Sequence, residues 1–416
     1  MKTNKIYTTI LVLFSLMNFV PYTRAQDSTK KNIISLSFQE YLNKVGKNNL
    51  NYLAEKYNVN IADAEVIAQK VLPDPDLTFE GADENFSIGL GYTLELGNKR
   101  GARVRLAKSQ AELEKLTLEY YYHELRAEAA DLYLDAIQQR ELLDVKKSSY
   151  EYMLQLSRSD SLRFSSGEIT EIDARQSKLE AITLLNEVFE QEATYKSALA
   201  TLNQYMGRTT LSLMNLSGKW GNIDRDYLLP ELIATGLTRR VDLYAAKKNI
   251  DVAANQQKLV KAERRMDLGL SVSYERDWHG FLPPSRSVKA GVSIPLKFSN
   301  LNKGAVKAAG FGIEQAKIQE QNTELEIQTE ISQAFFQFEA SRKKSEQYQT
   351  GLLEDAKKVL DGMVYKYKRG ESNITDVLIA QRTYNEVQEQ YLETMKGFAS
   401  SLVALQKACG IWDIDF

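Results

Sequence analysis

One cysteine, Cys409, stands in the 416 residues, so no disulfide can form within the chain and a disulfide scaffold is excluded. The only histidines, His123 and His279, are too few and too far apart to suggest a metal site. Neither charge sign dominates, with 53 Lys+Arg against 55 Asp+Glu, which leaves no basic field for nucleic acid. Nucleophile elbows, P-loops and dinucleotide fingerprints are missing, so neither catalysis nor a cofactor is expected. Mean hydropathy is −0.38, which excludes a polytopic helical membrane protein. After the N-terminus no stretch approaches the roughly 18–20 apolar residues that a membrane helix needs. Proline is scarce: none lies between Pro75 and Pro230, and none follows Pro295.

The N-terminus reads as a secretory signal peptide over residues 1–25: Lys2 and Lys5 precede the apolar run Ile6 to Val20, and Thr23-Arg24-Ala25 resembles a cleavage site. No cysteine follows that site, so an N-terminal lipid anchor is not expected.

Because helix interiors exclude Pro and disfavour Gly, the scarcity of both predicts long helices. Residues 102–206 read as two helices meeting at Gly167, and 303–408 as two meeting near Gly370. Val377, Gln381, Tyr384, Gln388, Tyr391, Met395, Phe398, Leu402 and Leu405 form a heptad stripe. Leu113, Leu116, Tyr120, His123, Ala127, Ala130, Leu134 and Ile137 form another, which places His123 in a packed core.

Period two replaces heptads in short segments. Phe86, Ile88, Leu90, Tyr92, Leu94 and Leu96 alternate with small or polar residues, as do Val288, Ala290, Val292, Ile294, Leu296 and Phe298. Leu268 to Tyr274 gives a third strand, and Leu77 with Phe79 a fourth. Two hairpins result, about 76–97 and 267–298, each apolar on one face and polar on the other. The chain thus reads as an internal duplication: first repeat 26–207, linker 208–229, second repeat 230–416.

Hairpins of this kind build membrane β-barrels, in which no sheet edge is left open to lipid. Four strands cannot close alone, so copies must share a barrel, and three copies with twelve strands leave a channel. Residues 101–163 and 303–368, as continuous helices, each reach about 95–100 Å at about 1.5 Å per residue. The shorter helices 36–70, 170–206, 231–265 and 373–408 come to about half that, two end to end matching one long one.

The duplicated architecture, the strand ends Leu94-Glu-Leu-Gly-Asn-Lys-Arg100 and Val292-Ser-Ile-Pro-Leu296, and the Gly167-Glu-Ile-Thr170 turn resemble the TolC-like outer membrane efflux proteins. Leu94 to Arg100 is most similar to the CzcC-like, cation-efflux branch. The resemblance implies a mainly α fold with membrane β: a trimeric 12-stranded outer-membrane β-barrel, four strands per protomer, continued by a long periplasmic α-helical barrel. It implies a passive exit duct, fed by an inner-membrane efflux transporter through a periplasmic adaptor (membrane fusion protein). A type I secretion channel is the alternative, and a periplasmic coiled-coil adaptor or scaffold a more distant one.

The same resemblance assigns an adaptor-docking tip to Phe164, Gly167, Glu168, Ile169, Thr170, Tyr367, Gly370, Asn373, Ile374 and Thr375. Plain hairpin chemistry also accounts for these residues, with glycine ending one helix and Thr170 or Thr375 capping the next. Gly370 to Thr375 reads as a turn two residues longer than Gly167 to Thr170. Acidic residues near the turns, Asp160 among them, could ring a threefold constriction; Asp173 and Asp376 are the best placed, with Arg163, Arg175 and Arg369 holding a closed rim by ion pairs. Lys99, Arg100, Arg103 and Arg105 cluster just below the barrel, Tyr92, Tyr274 and Phe298 are candidate interfacial anchors, and His279 falls in an extracellular loop.

Overall fold

The computed structural model describes residues 34–209, 214–220, 223–278, 283, 285–296 and 300–416. The proposed signal peptide, His279 and Phe298 lie outside the described residues. The first half runs β1 (Ile34–Leu36), α1 (Phe38–Asn48), α2 (Leu50–Ala68), β2 (Asp76–Ala82), β3 (Asn85–Leu94), α3 (Lys99–Ser165) and α4 (Glu171–Tyr205). The second half runs β4 (Met214–Leu216), α5 (Leu229–Arg239), α6 (Val241–Ala262), β5 (Leu268–Asp277), β6 (Ser285–Ser293), α7 (Lys303–Gln347), α8 (Leu353–Lys368) and α9 (Ile374–Cys409). No helix among the described residues is long and apolar enough to cross a membrane.

The 67-residue α3 is unbroken and extends about 100 Å. Its counterpart in the second half is not continuous, which corrects the expectation for 303–368. A widened turn at Tyr348–Leu352, with Gly351 at φ 105°, separates α7 from α8. Glycine alone adopts that backbone without strain.

Two of the four shorter helices, those of 36–70 and 231–265, are interrupted as well. Asn49 leaves the helical region between α1 and α2 and accepts the Tyr52 amide at 3.0 Å while donating to Tyr205 O at 3.2 Å. Arg240 does the same between α5 and α6; its guanidinium reaches Asp242 at 2.6 Å, Glu330 at 2.7 Å and Ala408 O at 3.1 Å. In both halves a long-hairpin helix ends on a left-handed glycine that rests against this break: Gly207 on Asn48 O, Gly410 on Arg239. A side chain at Gly207 would place its Cβ 2.3 Å from that carbonyl.

The largest core lies at this level. Phe38, Tyr41, Tyr133, Leu134, Ile137, Leu202, Met206, Phe338, Phe398, Leu402 and Leu405 are buried together. Tyr133 stacks with Tyr41 and donates to Leu36 O at 3.0 Å, tying in the parallel β1–β4 pair, which sequence periodicity missed. Three-residue strands carry too little alternation to be read. Heptad residue His123 is only half-buried, and burial with the neighbouring Arg126 lowers its pKa; the tightly packed part of that stripe begins at Ala127.

Cys409 is fully buried in this core, and burial pushes its thiol up to about 12. Thiolate is the reactive form. Ellman's reagent is therefore expected to leave the native protein untouched and to titrate one thiol per chain after denaturation; modification at the same rate in both states would contradict this packing.

Candidate functional site: a two-faced sheet and a paired helical tip

Strands β2, β3, β5 and β6 form one antiparallel sheet in that order, so the two hairpins join through β3 and β5. Register places every side chain. One face carries Leu77, Phe79, Phe86, Ile88, Leu90, Tyr92, Leu94, Leu268, Leu270, Val272, Tyr274, Val288, Ala290 and Val292. The other carries Asp76, Thr78, Glu80, Asn85, Ser87, Gly89, Gly91, Thr93, Gly269, Ser271, Ser273, Glu275, Asp277, Ser285, Ser287, Lys289, Gly291 and Ser293. No helix among the described residues covers the apolar face: Phe79, Leu90, Val272 and Val288 are 53–73% exposed. Among the described residues, strands β2 and β6 each have one unpaired edge. In water a sheet with such a face and such edges is an association hazard.

Sheet and helices meet at a rigid junction. Gly97 and Asn98 are both left-handed before α3, and Asn302 is left-handed before α7. A Cβ at Gly97 would lie 2.3 Å from Arg265 Cγ, so only glycine fits there. Of the basic cluster, Lys99 is buried against Asp267 at 2.6 Å and Arg103 forks onto Glu95, one arm at 2.9 Å. Hydrogen bonding to Glu95, against burial, raises the Arg103 pKa. Arg100 and Arg105 remain exposed.

At the far end, the two turns share one design. Gly167 and Gly370 take φ of 77° and 75°, and the following amides of Glu168 and Glu371 return to Arg163 O and Lys366 O. Thr170 caps α4 and exchanges hydrogen bonds with Asp173; Asn373 caps α9 and exchanges them with Asp376. Asn373, not Thr375, is therefore the second cap, and the turns are equal in length rather than different. The repeated Thr misled because a side-chain amide oxygen caps as well as a hydroxyl. Asp173 and Asp376 both serve as capping-box carboxylates, their oxygens turned back onto the amides of Thr170 and Asn373.

The tips nevertheless differ. Phe164 is 43% exposed whereas its counterpart Tyr367 is 4% exposed. Tyr367 donates to Asp160 Oδ1 of α3 at 3.0 Å, joining the α8–α9 hairpin to the α3–α4 hairpin. Asp160 is fully buried, and its Oδ2 has no hydrogen-bond partner. Burial raises its pKa, partly opposed by hydrogen bonding from Ser177 and Tyr367 and by Arg163. Arg163 lies 3.9 Å from Asp160, 3.3 Å from Glu168 and over the Tyr367 ring. Arg175 pairs with Glu171, and Arg369 with Glu371. Ile374 is buried beside Val377 and Leu360, while Glu168, Asn373 and Thr375 are exposed and Ile169 is partly so. Above the tip, Arg382 reaches Glu180 at 3.0 Å and Ser149 donates to the buried Asn385 at 2.7 Å. Between α3 and α4 lies an open groove of about 280 Å³ lined by Tyr150, Leu154, Ile182 and Leu185.

Residues 232–411 match the family model described as "Outer membrane efflux protein". The cobalt-zinc-cadmium resistance protein CzcC of Cupriavidus metallidurans is 23% identical over 368 residues, covering 86% of each chain. The outer membrane efflux protein BepC of Brucella suis is 23% identical over 397 residues, covering 88% of this chain and 84% of its own. The crystal structure of CusC superposes with a TM-score of 0.73 at 13% identity over 91% of this chain and 93% of that one. Over residues 232–411 the chain is similar to the outer membrane efflux protein family. The chain lies in the outer membrane and extends into the periplasm. The Asp160–Tyr367 link escaped the sequence because its partners lie on helices of different repeats; only the aspartate's closeness to the turn hinted at it.

Proposed function

We propose that the chain is the exit duct of a tripartite pump: three copies close a 12-stranded barrel and the helices continue it as a periplasmic tunnel. The observation that carries this reading is the sheet, apolar and bare on one face, small and polar on the other, with both edges open. Full closure with other copies removes such edges. The glycines and hydroxyls of the polar face leave a water-filled lumen. A periplasmic adaptor docks at the tip, where Leu162, Phe164 and Ile172 stand exposed on the first hairpin. An inner-membrane transporter supplies the energy. The internal duplication makes each protomer two similar arms, 26–207 and 230–416.

Divalent cations are the cargo this reading favours. Among the described strand residues, the polar face carries Asp76, Glu80, Glu275 and Asp277 against the single ammonium of Lys289, which already pairs with Glu275. Threefold symmetry would repeat that acidic excess around one lumen, which attracts cations. CzcC, named for cobalt, zinc and cadmium resistance, accords with it. Planar-bilayer recording tests both statements. The wild type is expected to form water-filled, cation-preferring channels, and Glu80→Gln/Asp277→Asn to reduce that preference severalfold. Asp173→Asn/Asp376→Asn distinguishes the rim: as capping residues they are expected to change tip stability by about 1 kcal/mol per cap, whereas a gate ring would change selectivity as well. Absence of any conductance from trimers, or anion preference in the wild type, would reject the cation duct.

A further inference from the structure

The apolar face of the sheet ends in charge of one sign. Arg276 and Arg286 are direct register partners on β5 and β6, and Phe86 of β3 pairs with Arg276 from the other side. They are the only charged side chains that the described strand residues place on that face; Asp76, Glu80, Glu275 and Asp277 all point the other way. Both arginines are exposed, and neither has an ion-pair partner among the described residues. Like charges directly opposite on neighbouring strands repel and need a counterion.

Their height matters. From Leu268 to Arg276 the strand rises about 27 Å at about 3.4 Å per residue, or about 21 Å along the membrane normal at a tilt of about 40°, most of the roughly 25 Å apolar band of outer-membrane barrels. The pair therefore sits at the edge of the hydrocarbon, at the end away from the helices, with Tyr274 below it and Trp278 beyond. With the helices in the periplasm, that end meets the outer leaflet.

We propose that Arg276 and Arg286 form a binding site for a phosphorylated lipid headgroup of the outer leaflet. Two guanidiniums from adjacent strands offer planar, bidentate donors to one phosphate, and the Tyr274–Val272–Leu270 row beneath receives the acyl chains. The site rests on the barrel reading above and occurs once per protomer.

The test uses detergent-solubilised full-length trimers titrated with diphosphoryl lipid A, its dephosphorylated form, or inorganic phosphate, with bound lipid counted by native mass spectrometry. Wild type is expected to retain diphosphoryl lipid A, to discriminate against the dephosphorylated form, and to lose little of it to inorganic phosphate. The R276Q/R286Q variant is expected to bind at least about tenfold more weakly while forming the same trimers. If that variant fails to assemble, R276Q and R286Q singly are each expected to weaken binding severalfold. Undiminished binding by assembled variants would overturn the site, and full displacement by inorganic phosphate would overturn the lipid assignment, both leaving the barrel intact. Wild type that forms no trimer and stays out of the membrane fraction would instead overturn the barrel.

Discussion

Val272→Arg is expected to abolish most of the assembled protein in the outer membrane, while Ser273→Arg one residue away is tolerated. Val272 lies mid-strand on the apolar face, between Leu90 and Ala290. An arginine there would sit near the middle of the hydrocarbon, at a cost of about 2–4 kcal/mol per chain, repeated in each copy. That is comparable to a large share of the stability of an ordinary domain. Ser273 faces Gly89 and Lys289 on the polar side, where an added charge meets water and the Glu275 carboxylate. Unboiled gel mobility of outer-membrane fractions, together with the urea midpoint of purified trimers, reads the difference. Equal tolerance of both substitutions would mean that the apolar face does not contact lipid.

In the proposed trimeric duct, Tyr367→Phe is expected to hold the channel open. The Tyr367 hydroxyl is the donor recorded at the buried Asp160 Oδ1, and Oδ2 already lacks a partner. Removing a hydrogen bond to a charged group costs about 1.5–3 kcal/mol. Three such links released together amount to roughly 5–9 kcal/mol if they add, against about 5.5 kcal/mol to turn a 1:99 equilibrium into 99:1. Single-channel conductance should rise several-fold, and antibiotic or metal sensitivity of cells should follow. Asp160→Asn is the informative control, because the amide oxygen still accepts from Tyr367 while the buried charge is gone; it should stay closed. The pH dependence follows from the same geometry. Burial raises the Asp160 pKa in the docked tip, so the docked state takes up a proton more readily than the released one. The stabilisation is fully present below the ordinary carboxylate range and fades as pH rises through the raised value. Acid should therefore close the wild-type duct, and Asp160→Asn should remove that part of the response. A Tyr367→Phe channel with wild-type conductance at every pH would dismiss the link as a gate.

Much was legible in the sequence because periodicity is a local property. Alternation from Phe86 to Leu94 and from Leu268 to Tyr274 marks strands whose two faces meet different surroundings, and the absence of Pro over 102–206 leaves little but helix. The left-handed turns at Gly167 and Gly370 were visible for the same reason: few other residues adopt that backbone. Less visible were the breaks at Asn49, Arg240 and Gly351, since neither Asn nor Arg is a strong helix breaker and one glycine can sit inside a helix at modest cost.

What the sequence by itself determined is where the four sheet strands and the long helical stretches lie, which strand face is apolar, and where each long hairpin must turn. Only the tertiary structure decided that β3 pairs with β5, that Arg276 faces Arg286, that Asp173 and Asp376 are occupied as caps, and that Tyr367 reaches Asp160. The reason is physical. Faces and turns are fixed by backbone geometry over a few residues, whereas register between the repeats and the partner of a buried carboxylate depend on which distant helices and strands pack side by side.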